Sequence, residues 1–216
     1  MIEATMKEKV KEFIVKNFKW IILFICLIGF LAIAENVFNK EIMNGDIVGY
    51  KLISTFLISD FATPIAKFIT NLGDAIFLTV LTIILFILIK NKKIGLSIFS
   101  NLVIITALNQ LLKNILQRPR PTEYRIIEET GYSFPSGHSM ISMAFYGYII
   151  YLIYKYVKNK YIKWISIVLL SILICSIGIS RIYLGVHYTS DVLGGFLISV
   201  SYLVIYISAV IKSFVL

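Results

Sequence analysis

Residues 180–211 read SRIYLGVHYTSDVLGGFLISVSYLVIYISAVI. The second part of this stretch, residues 192–211, carries no charged side chain and is long enough to cross the hydrocarbon core of a bilayer as a single helix. The first part, residues 180–191, combines an arginine, a histidine and an aspartate at the edge of the apolar run. The stretch therefore predicts a membrane-spanning helix with a cluster of polar residues at one end.

Similar apolar runs recur along the chain, in which 58% of the residues are hydrophobic. That fraction is higher than in an ordinary soluble domain. We predict six membrane-spanning helices, at residues 20–34, 75–89, 94–112, 140–157, 164–179 and 192–211. The apolar segment 52–68 is too interrupted to span, and we expect it to form one or two short helices in the outer interface. No linker or repeat divides the chain, so the prediction is an all-α, six-helix integral membrane bundle forming one domain, residues 1–216.

The net charge of +9 is distributed in a way that favours a membrane protein over a nucleic-acid-binding protein. Thirteen of the 21 lysines and arginines lie before the first span, after the second, at the end of or after the fourth, and after the sixth. The same segments contain only three acidic residues. Such an excess of basic residues marks the cytoplasmic side. We therefore expect a multi-pass protein of the cell (plasma) membrane with both termini cytoplasmic. The segments after the first, third and fifth spans then face outward.

Two features of the predicted spans bear on alternatives. The basic start of the chain, followed by an apolar stretch and Ala32-Ile33-Ala34, also resembles a cleaved signal peptide, although cleavage would leave every later loop on the same side. Both cysteines, Cys26 and Cys175, fall inside spans, which argues against a disulfide framework or a thiolate metal cluster. Polar residues are frequent in the third span, and we predict that it lies in the interior of the bundle. They are Ser97, Ser100, Asn101, Thr106, Asn109 and Gln110.

The first of three polar segments on the outer side is KNILQRPRP, residues 113–121. Lys113 ends the third span, and Arg118 and Arg120 follow it. Such a cluster can simply hold lipid headgroups. Most basic residues of the chain lie on the predicted cytoplasmic side, so a basic cluster on the outer side is an exception. This exception favours a specific anionic ligand.

The second polar segment is YSFPSGHSM, residues 132–140. Ser136 suits a helix N-cap, and Gly137 lets a ligand approach the backbone closely. The free N–H groups and the dipole of the following helix predict an anion site, with His138 in its first turn. The alternative is a capped helix whose histidine lies at the interface.

The third polar segment is residues 180–191. His187 precedes Asp191 by four residues, a spacing that brings the two side chains together if the helix extends that far back. A carboxylate that accepts a hydrogen bond from Nδ1–H leaves Nε2 free, as in nucleophilic catalysis. Arg181 adds a bidentate donor suited to phosphate. The alternative is an N-cap aspartate beside an interfacial histidine and arginine. The predicted topology brings all three segments to the outer surface.

The three segments together resemble the type-2 phosphatidic acid phosphatase family. Lys113, Arg120 and Pro121 match its K-x6-RP motif, and residues 135–138 match its PSGH motif. Residues 180–191 match its SR-x5-H-x3-D motif, and the three motifs occur in the family's order. The six-span layout, with an interfacial segment after the first span, is also similar to that of the bacterial membrane members.

The resemblance implies a metal-independent phosphatase with no cofactor. His187 would attack phosphorus and form a phosphohistidine, Asp191 would hold its ring, and His138 would protonate the leaving oxygen and then activate water. The phosphoryl oxygens would be bound by Lys113, Arg120, Arg181 and the backbone N–H groups of Ser136 and Gly137. The spacing from Lys113 selects Arg120 for this role, and Arg118 is expected at the rim.

A site of two histidines and a carboxylate could instead hold a metal ion. Three neighbouring cations would repel a divalent metal, however, and this argues against it. As substrate we expect a lipid phosphate, with undecaprenyl pyrophosphate, phosphatidylglycerophosphate and phosphatidic acid as the family's candidates. The alternatives are a phosphatase of soluble esters and a non-catalytic lipid-binding or transport protein. The sequence predicts no oligomeric state.

Overall fold

The computed structural model describes the backbone of residues 2–214 and the side chains of residues 13–210. These residues form eight helices and no strand, so the predicted all-α fold is confirmed. The helices are α1 (Ile2–Phe38), α2 (Asn44–Leu57), α3 (Ala62–Asn71), α4 (Ala75–Leu88), α5 (Lys92–Leu116), α6 (Gly137–Tyr156), α7 (Lys160–Tyr183) and α8 (Thr189–Phe214). The side chains of residues 7–12 and of Lys212, on which part of the orientation prediction rests, lie outside the described residues.

Four helices are long and apolar enough to cross a membrane, namely Phe13–Phe38, Lys92–Leu116, Lys160–Tyr183 and Thr189–Val210. A fifth candidate is the pair Ala62–Asn71 and Ala75–Leu88, whose axes are bent by 52°. Alone, α4 has 14 residues. At about 1.5 Å per residue it is shorter than the roughly 30 Å hydrocarbon core. The count of six spans therefore stays a prediction.

Helix α6, which corresponds to the predicted span 140–157, is also not among the four single candidates. It lies at the centre of the molecule and packs against α5, α7 and α8. Met140, Ala144, Phe145 and Tyr148 are almost completely enclosed. Because protein surrounds this helix on several sides, it can carry serines and tyrosines that a lipid-facing helix would not tolerate.

Polar side chains on α5 follow the helical period. Those on the face toward α6 are Ser97, Asn101 and Asn109, and all three are buried. The Asn101 Nδ2 group donates to the Ala144 carbonyl over 3.0 Å. The predicted interior position is thus confirmed for this face. The predicted interior position is wrong for Gln110, which is exposed. Gln110 follows Asn109 directly and is therefore rotated by about 100° around the helix axis, away from α6.

The predicted short helices over residues 52–68 correspond to α2 and α3. Both helices pack against α7, and α2 also contacts the start of α8. Their remaining faces expose large apolar side chains, among them Phe56, Phe61 and Phe68. The apolar exposure agrees with an interfacial position, which itself stays a prediction. The two helices cover the end of the bundle where α5 ends and α6 and α8 begin.

Candidate active site

The three polar segments meet at one end of the bundle. They belong to the end of α5, the 117–136 loop with the start of α6, and the end of α7 with the turn into α8. The α4–α5 and α6–α7 connections are only a few residues long, which forces those helices into antiparallel pairs. As a result, the segments that are far apart in sequence converge at a single site.

His187 lies at the centre of this site and is almost completely buried. Its Nε2 atom is 2.9 Å from the Arg120 Nη1 atom. Its Nδ1 atom is 3.3 Å from the Asp191 Oδ2 atom and 3.2 Å from the Ser133 Oγ atom. A guanidinium can only donate, so Nε2 is the acceptor and Nδ1 carries the proton toward the carboxylate. The contact between His187 and Asp191 crosses the turn before α8, because that helix begins only at Thr189.

The electrostatic surroundings keep His187 neutral. Burial, and then the positive charges of Arg181, Arg120 and Lys113, lower the pKa of His187 well below its usual value. A neutral imidazole with an unprotonated Nε2 has the lone pair that a nucleophile requires.

Asp191 is held by more groups than the histidine alone. Its Oδ2 atom accepts hydrogen bonds from the Tyr188 N–H over 2.8 Å and from the Ser133 hydroxyl. Its Oδ1 atom forms a 2.7 Å ion pair with the Arg118 Nη1 atom. Ser133 could not be predicted from the sequence, because its contacts depend on how the 117–136 loop folds over the histidine.

Arg118 is not a rim residue, and that prediction is wrong. Its side chain is 5% exposed, and it bridges Asp191 to Asp46 at the start of α2 with a second 2.7 Å ion pair. Asp46 also accepts a 2.8 Å hydrogen bond from the Ser190 N–H. Burial alone would lower the pKa of Arg118, but the two carboxylates raise it overall. The repeated RP dipeptide was the only sequence signal for this second arginine.

The two cations predicted from the first segment organise the loop that covers the site. Lys113 is 9% exposed, and its ammonium donates to the Tyr132 carbonyl and, over 3.5 Å, to the Ser133 carbonyl. Arg120 donates to the Gly131 and Thr130 carbonyls, each over 3.0 Å. The pKa of Arg120 is lowered to about 10 by burial and by Arg181, which outweigh nearby carboxylates. It remains positively charged at neutral pH.

Arg181 is the most completely buried of these cations, at 1% exposed. Its Nη1 atom donates to the Thr70 hydroxyl over 2.8 Å, and its Nη2 atom is paired with the Glu129 carboxylate. The buried Nε–H has no hydrogen-bond partner among the described residues. A buried N–H group without a partner, on a guanidinium that already pairs with the Glu129 carboxylate, is a suitable donor to an oxyanion. Thr70 and Glu129 were not predicted from the sequence.

The start of α6 supplies the remaining predicted residues. Ser136 is the N-cap, and its hydroxyl accepts from Ser139. The Ser136 N–H donates to the Asp191 carbonyl over 3.1 Å, so in this structure it is not available to a phosphoryl oxygen as predicted. The N–H groups of Gly137 and His138 belong to the first helical turn, where the helix itself offers no acceptor. They remain candidate donors to an anion.

His138 lies in this first turn with its side chain 18% exposed. Its Nε2 atom is 4.0 Å from the Oδ2 atom of Asp74, at the start of α4. Burial, and then Arg181 and His187, lower the pKa of His138 to about 2. The site therefore brings two neutral histidines together with the cations Lys113, Arg120 and Arg181.

Two further features bear on ligands. Among the described residues, no group of three or more His, Cys, Asp and Glu side chains could hold a metal ion. A cavity of about 690 Å³ borders His187 and runs between α2 and the loop at residues 121–124. Tyr50 and Tyr124 stack in its wall, with ring centroids 4.8 Å apart.

Comparison with known proteins gives matches over most of the chain. The family model described as PAP2 superfamily matches residues 93–214. The chain is 40% identical over 90 residues to phosphatidylglycerophosphatase B of Bacillus subtilis (strain 168), which covers 41% of this chain and 44% of that protein. The match thus spans less than half of the length of that relative. It is 27% identical over 195 residues to an undecaprenyl-diphosphatase of Sulfolobus acidocaldarius, covering 85% and 86% of the two chains.

Among solved structures, the chain is similar to the crystal structure of a transmembrane PAP2-type phosphatidylglycerolphosphate phosphatase from Bacillus subtilis. The TM-score is 0.76 and the sequence identity is 28%, over 88% of this chain and 96% of the other. The arrangement of helices is therefore shared over almost the whole length.

Proposed function

This chain belongs to the PAP2 superfamily, and on that basis we propose that it is a membrane lipid phosphatase that works through a phosphohistidine at His187. The observation that carries the proposal is the setting of this one side chain. Its Nδ1 atom faces Asp191 and Ser133, and its Nε2 atom faces Arg120 among buried cations. That arrangement combines an oriented nucleophile with a site for a phosphoryl group.

In the first step, the Nε2 lone pair of His187 attacks phosphorus. An N–P bond forms as the P–O bond to the leaving group breaks. The Nδ1–H stays directed at Asp191, whose negative charge balances the positive charge that develops on the ring. His138 is protonated in the complex with substrate, because the negative phosphate offsets the neighbouring cations. It gives this proton to the leaving oxygen, so that an alcohol or a phosphate departs.

In the second step, the N–P bond is broken by water. His138, now neutral, accepts a proton from the water as its oxygen attacks phosphorus. Inorganic phosphate is released, and both histidines return to their starting forms. Fixed cations stabilise the charge on the equatorial oxygens during both steps. We assign this role to Lys113, Arg120 and Arg181, with Arg120 leaving Nε2 to bind a phosphoryl oxygen.

We propose a lipid as the substrate because the site opens among helix ends beside exposed apolar helices. The cavity bordered by Tyr50 and Tyr124 is also lined by the apolar side chains of Ile42 and Ile47, and it reaches His187. It has room for the part of a lipid substrate next to the phosphate. Undecaprenyl pyrophosphate, phosphatidylglycerophosphate and phosphatidic acid are the candidates, with the first two favoured by the names of the relatives.

The experiment that tests this proposal is phosphate release by the purified protein in detergent micelles. The three lipid phosphates and a soluble sugar phosphate are assayed side by side, with wild type, His187→Ala and the surface control Lys67→Ala. We expect lipid hydrolysis that survives EDTA, is blocked by vanadate, and falls roughly 10³-fold or more in His187→Ala only. A radiolabelled phosphoryl group should remain on wild-type protein after an alkaline quench.

Three results would overturn the proposal. Full activity of His187→Ala would exclude the nucleophile. Hydrolysis of the soluble ester alone would favour the soluble-ester phosphatase. Lipid binding or transfer without phosphate release, unchanged in His187→Ala, would favour the non-catalytic lipid-binding or transport protein.

A further inference from the structure

The short turn between α3 and α4 brings a carboxylate to the active site that no motif contains. Asp74 caps α4, and its Oδ1 atom accepts from the Ile76 N–H over 2.7 Å. The other oxygen, Oδ2, is thereby directed away from the helix and lies 4.0 Å from the His138 Nε2 atom. One carboxylate thus serves both a helix end and a histidine.

The turn is fixed against α6 and α7, so this proximity is built into the packing. The Tyr146 hydroxyl of α6 donates to the Leu72 carbonyl over 2.7 Å. A Cβ atom on Gly73 would lie only 2.7 Å from the Ile177 Cγ2 atom and 3.5 Å from the His138 ring. Only glycine at this position lets the backbone of the turn approach the histidine so closely.

His138 needs such a partner because its other neighbours oppose its protonation. A general acid must carry a proton when the leaving group departs. The charged and titratable groups that face His138 are Lys113 of α5, Arg120 of the 117–136 loop, Arg181 of α7, His187 of the α7–α8 turn and Asp74. Of these, Asp74 alone brings negative charge. The carboxylates of Asp191 and Glu129 are paired with arginines.

We propose that Asp74 is a positioning residue that stabilises the protonated form of His138. The doubly protonated ring directs Nε2–H toward Asp74 and Nδ1–H toward the leaving oxygen. The Nδ1 proton moves to the leaving oxygen as the P–O bond breaks, and the N–H bonding electrons stay on the ring. Asp74 exchanges no proton. At 4.0 Å it acts through its charge, since the separation is about 1 Å longer than a hydrogen bond.

The test rests on the proposed phosphatase function and uses Asp74→Asn, because asparagine is also a good N-cap and keeps α4 intact. Two substrates with the same alkyl chain are compared, an alkyl phosphate and a nitrophenyl phosphate. The nitrophenolate departs without being protonated. The value of kcat/KM reports the steps up to the first irreversible one, here formation of the phosphohistidine. The control is Asp60→Asn, an exposed acid in the preceding turn.

We expect Asp74→Asn to lower kcat/KM for the alkyl phosphate roughly tenfold near neutral pH and to change it less than about twofold for the nitrophenyl phosphate. The basic limb of the pH profile should move to lower pH by roughly one unit. Asp60→Asn should match wild type. In a His138→Gln background, Asp74→Asn should have no further effect on either substrate.

Equal losses on both substrates would show a merely structural role and overturn the inference. An unshifted basic limb, or an undiminished effect of Asp74→Asn in the His138→Gln background, would do the same. These results can be interpreted only if the wild type hydrolyses phosphate esters and the His187→Ala variant does not. If those two conditions fail, the proposed phosphatase function fails instead, so the two failures are distinguishable.

Discussion

At the scale of single residues, the buried carboxylates of Asp191 and Asp46 share one guanidinium. Arg118 contacts both over 2.7 Å, and all three side chains are at most 5% exposed. Its guanidinium also lies over the Tyr188 ring, 4.1 Å from the centroid. The chain of charges connects α2 to the carboxylate that contacts His187. Fixing this carboxylate is therefore coupled to docking of α2.

Replacing Arg118 with leucine should be strongly destabilising, because it removes the positive charge that two buried carboxylates share. Breaking a buried ion pair in this way costs about 3–5 kcal/mol. The control is Glu128→Gln, which removes only the 3.8 Å pair of this exposed carboxylate with Arg125 and should cost at most about 1 kcal/mol. Unfolding in detergent, followed by circular dichroism, measures both. Equal stability of the two variants would contradict the assigned role of Arg118.

The two histidines predict a pH dependence of stability with a definite sign. The folded-state pKa of His187 lies well below its usual value because of burial and then Arg181, and that of His138 is about 2. In the unfolded chain a histidine takes up its proton near pH 6.5. Stability is therefore complete above about pH 6.5 and is lost progressively as the pH falls below it.

The chain contains only these two histidines, so the prediction has a clean control. Between pH 8 and pH 5, the unfolding temperature of wild type should fall. That of the double variant His138→Gln/His187→Gln should fall less, because no imidazole remains to be protonated. Equal slopes for the two proteins would contradict the neutral state assigned to the buried histidines.

At the scale of helices, the parts of the site that could be predicted from sequence are those linked by local spacing. The K-x6-RP segment, the N-cap before α6 and the His187–Asp191 pair are short-range patterns, and their residues do meet at one end of the bundle. Ser133, Asp46 and Asp74 could not be predicted. Ser133 and Asp74 reach the site from a loop and a turn, and Asp46 reaches it from the first turn of α2. In each case the position is set by packing of helices that are distant in sequence. No periodicity encodes such a position.

The length of the helices was also harder to predict than their existence. The predicted second span, 75–89, begins where α4 begins, but α4 is a short helix bent by 52° from α3. The sequence LGD, residues 72–74, produces this break because Asp74 caps a new helix there. The apolar run alone did not reveal that the preceding helix is part of the same candidate span.

Helix α8 contacts the loop before α6 at Gly194, and the close packing there predicts that an added methyl group destabilises the protein. A Cβ atom on Gly194 would lie 2.6 Å from the Phe134 Cε2 atom. The Phe134 ring is completely buried and stacks on Phe30, so it has little room to move. Gly194→Ala should therefore destabilise the protein by about 1–3 kcal/mol. It should also lower activity, because Phe134 lies two residues before the N-cap of α6.

The control for this contact is Gly45→Ala in the first turn of α2, where a Cβ atom would meet nothing within 4 Å. This variant should keep wild-type activity and be equally stable or slightly more so, since alanine favours a helix. Thermal unfolding and phosphate release measure both variants. A Gly194→Ala protein that matches Gly45→Ala in both assays would show that the packing at α8 is looser than the distances indicate.

At the scale of the whole molecule, the lysine-rich turns and the candidate active site lie at opposite ends of the bundle. The α4–α5 and α6–α7 turns carry lysines at one end, and the site lies at the other end with the 117–136 loop. Because basic loops are retained in the cytoplasm, the lysine-rich turns should face inward and the site outward. An outward site can take lipid phosphates from the outer leaflet.

This orientation can be measured by cysteine labelling in intact cells. Starting from a Cys26→Ala/Cys175→Ala background, one cysteine is placed at Thr122, exposed in the 117–136 loop, and another at Lys158, exposed in the α6–α7 turn. A membrane-impermeant maleimide should label Thr122→Cys directly and Lys158→Cys only after permeabilisation. The background protein, which has no cysteine, is the control for non-specific labelling. Labelling of Lys158→Cys alone in intact cells would place the site on the cytoplasmic side. It would also require that the substrate come from the inner leaflet, because Lys113, Arg120 and Arg181, to which we assign phosphate binding, lie together at one end of the bundle.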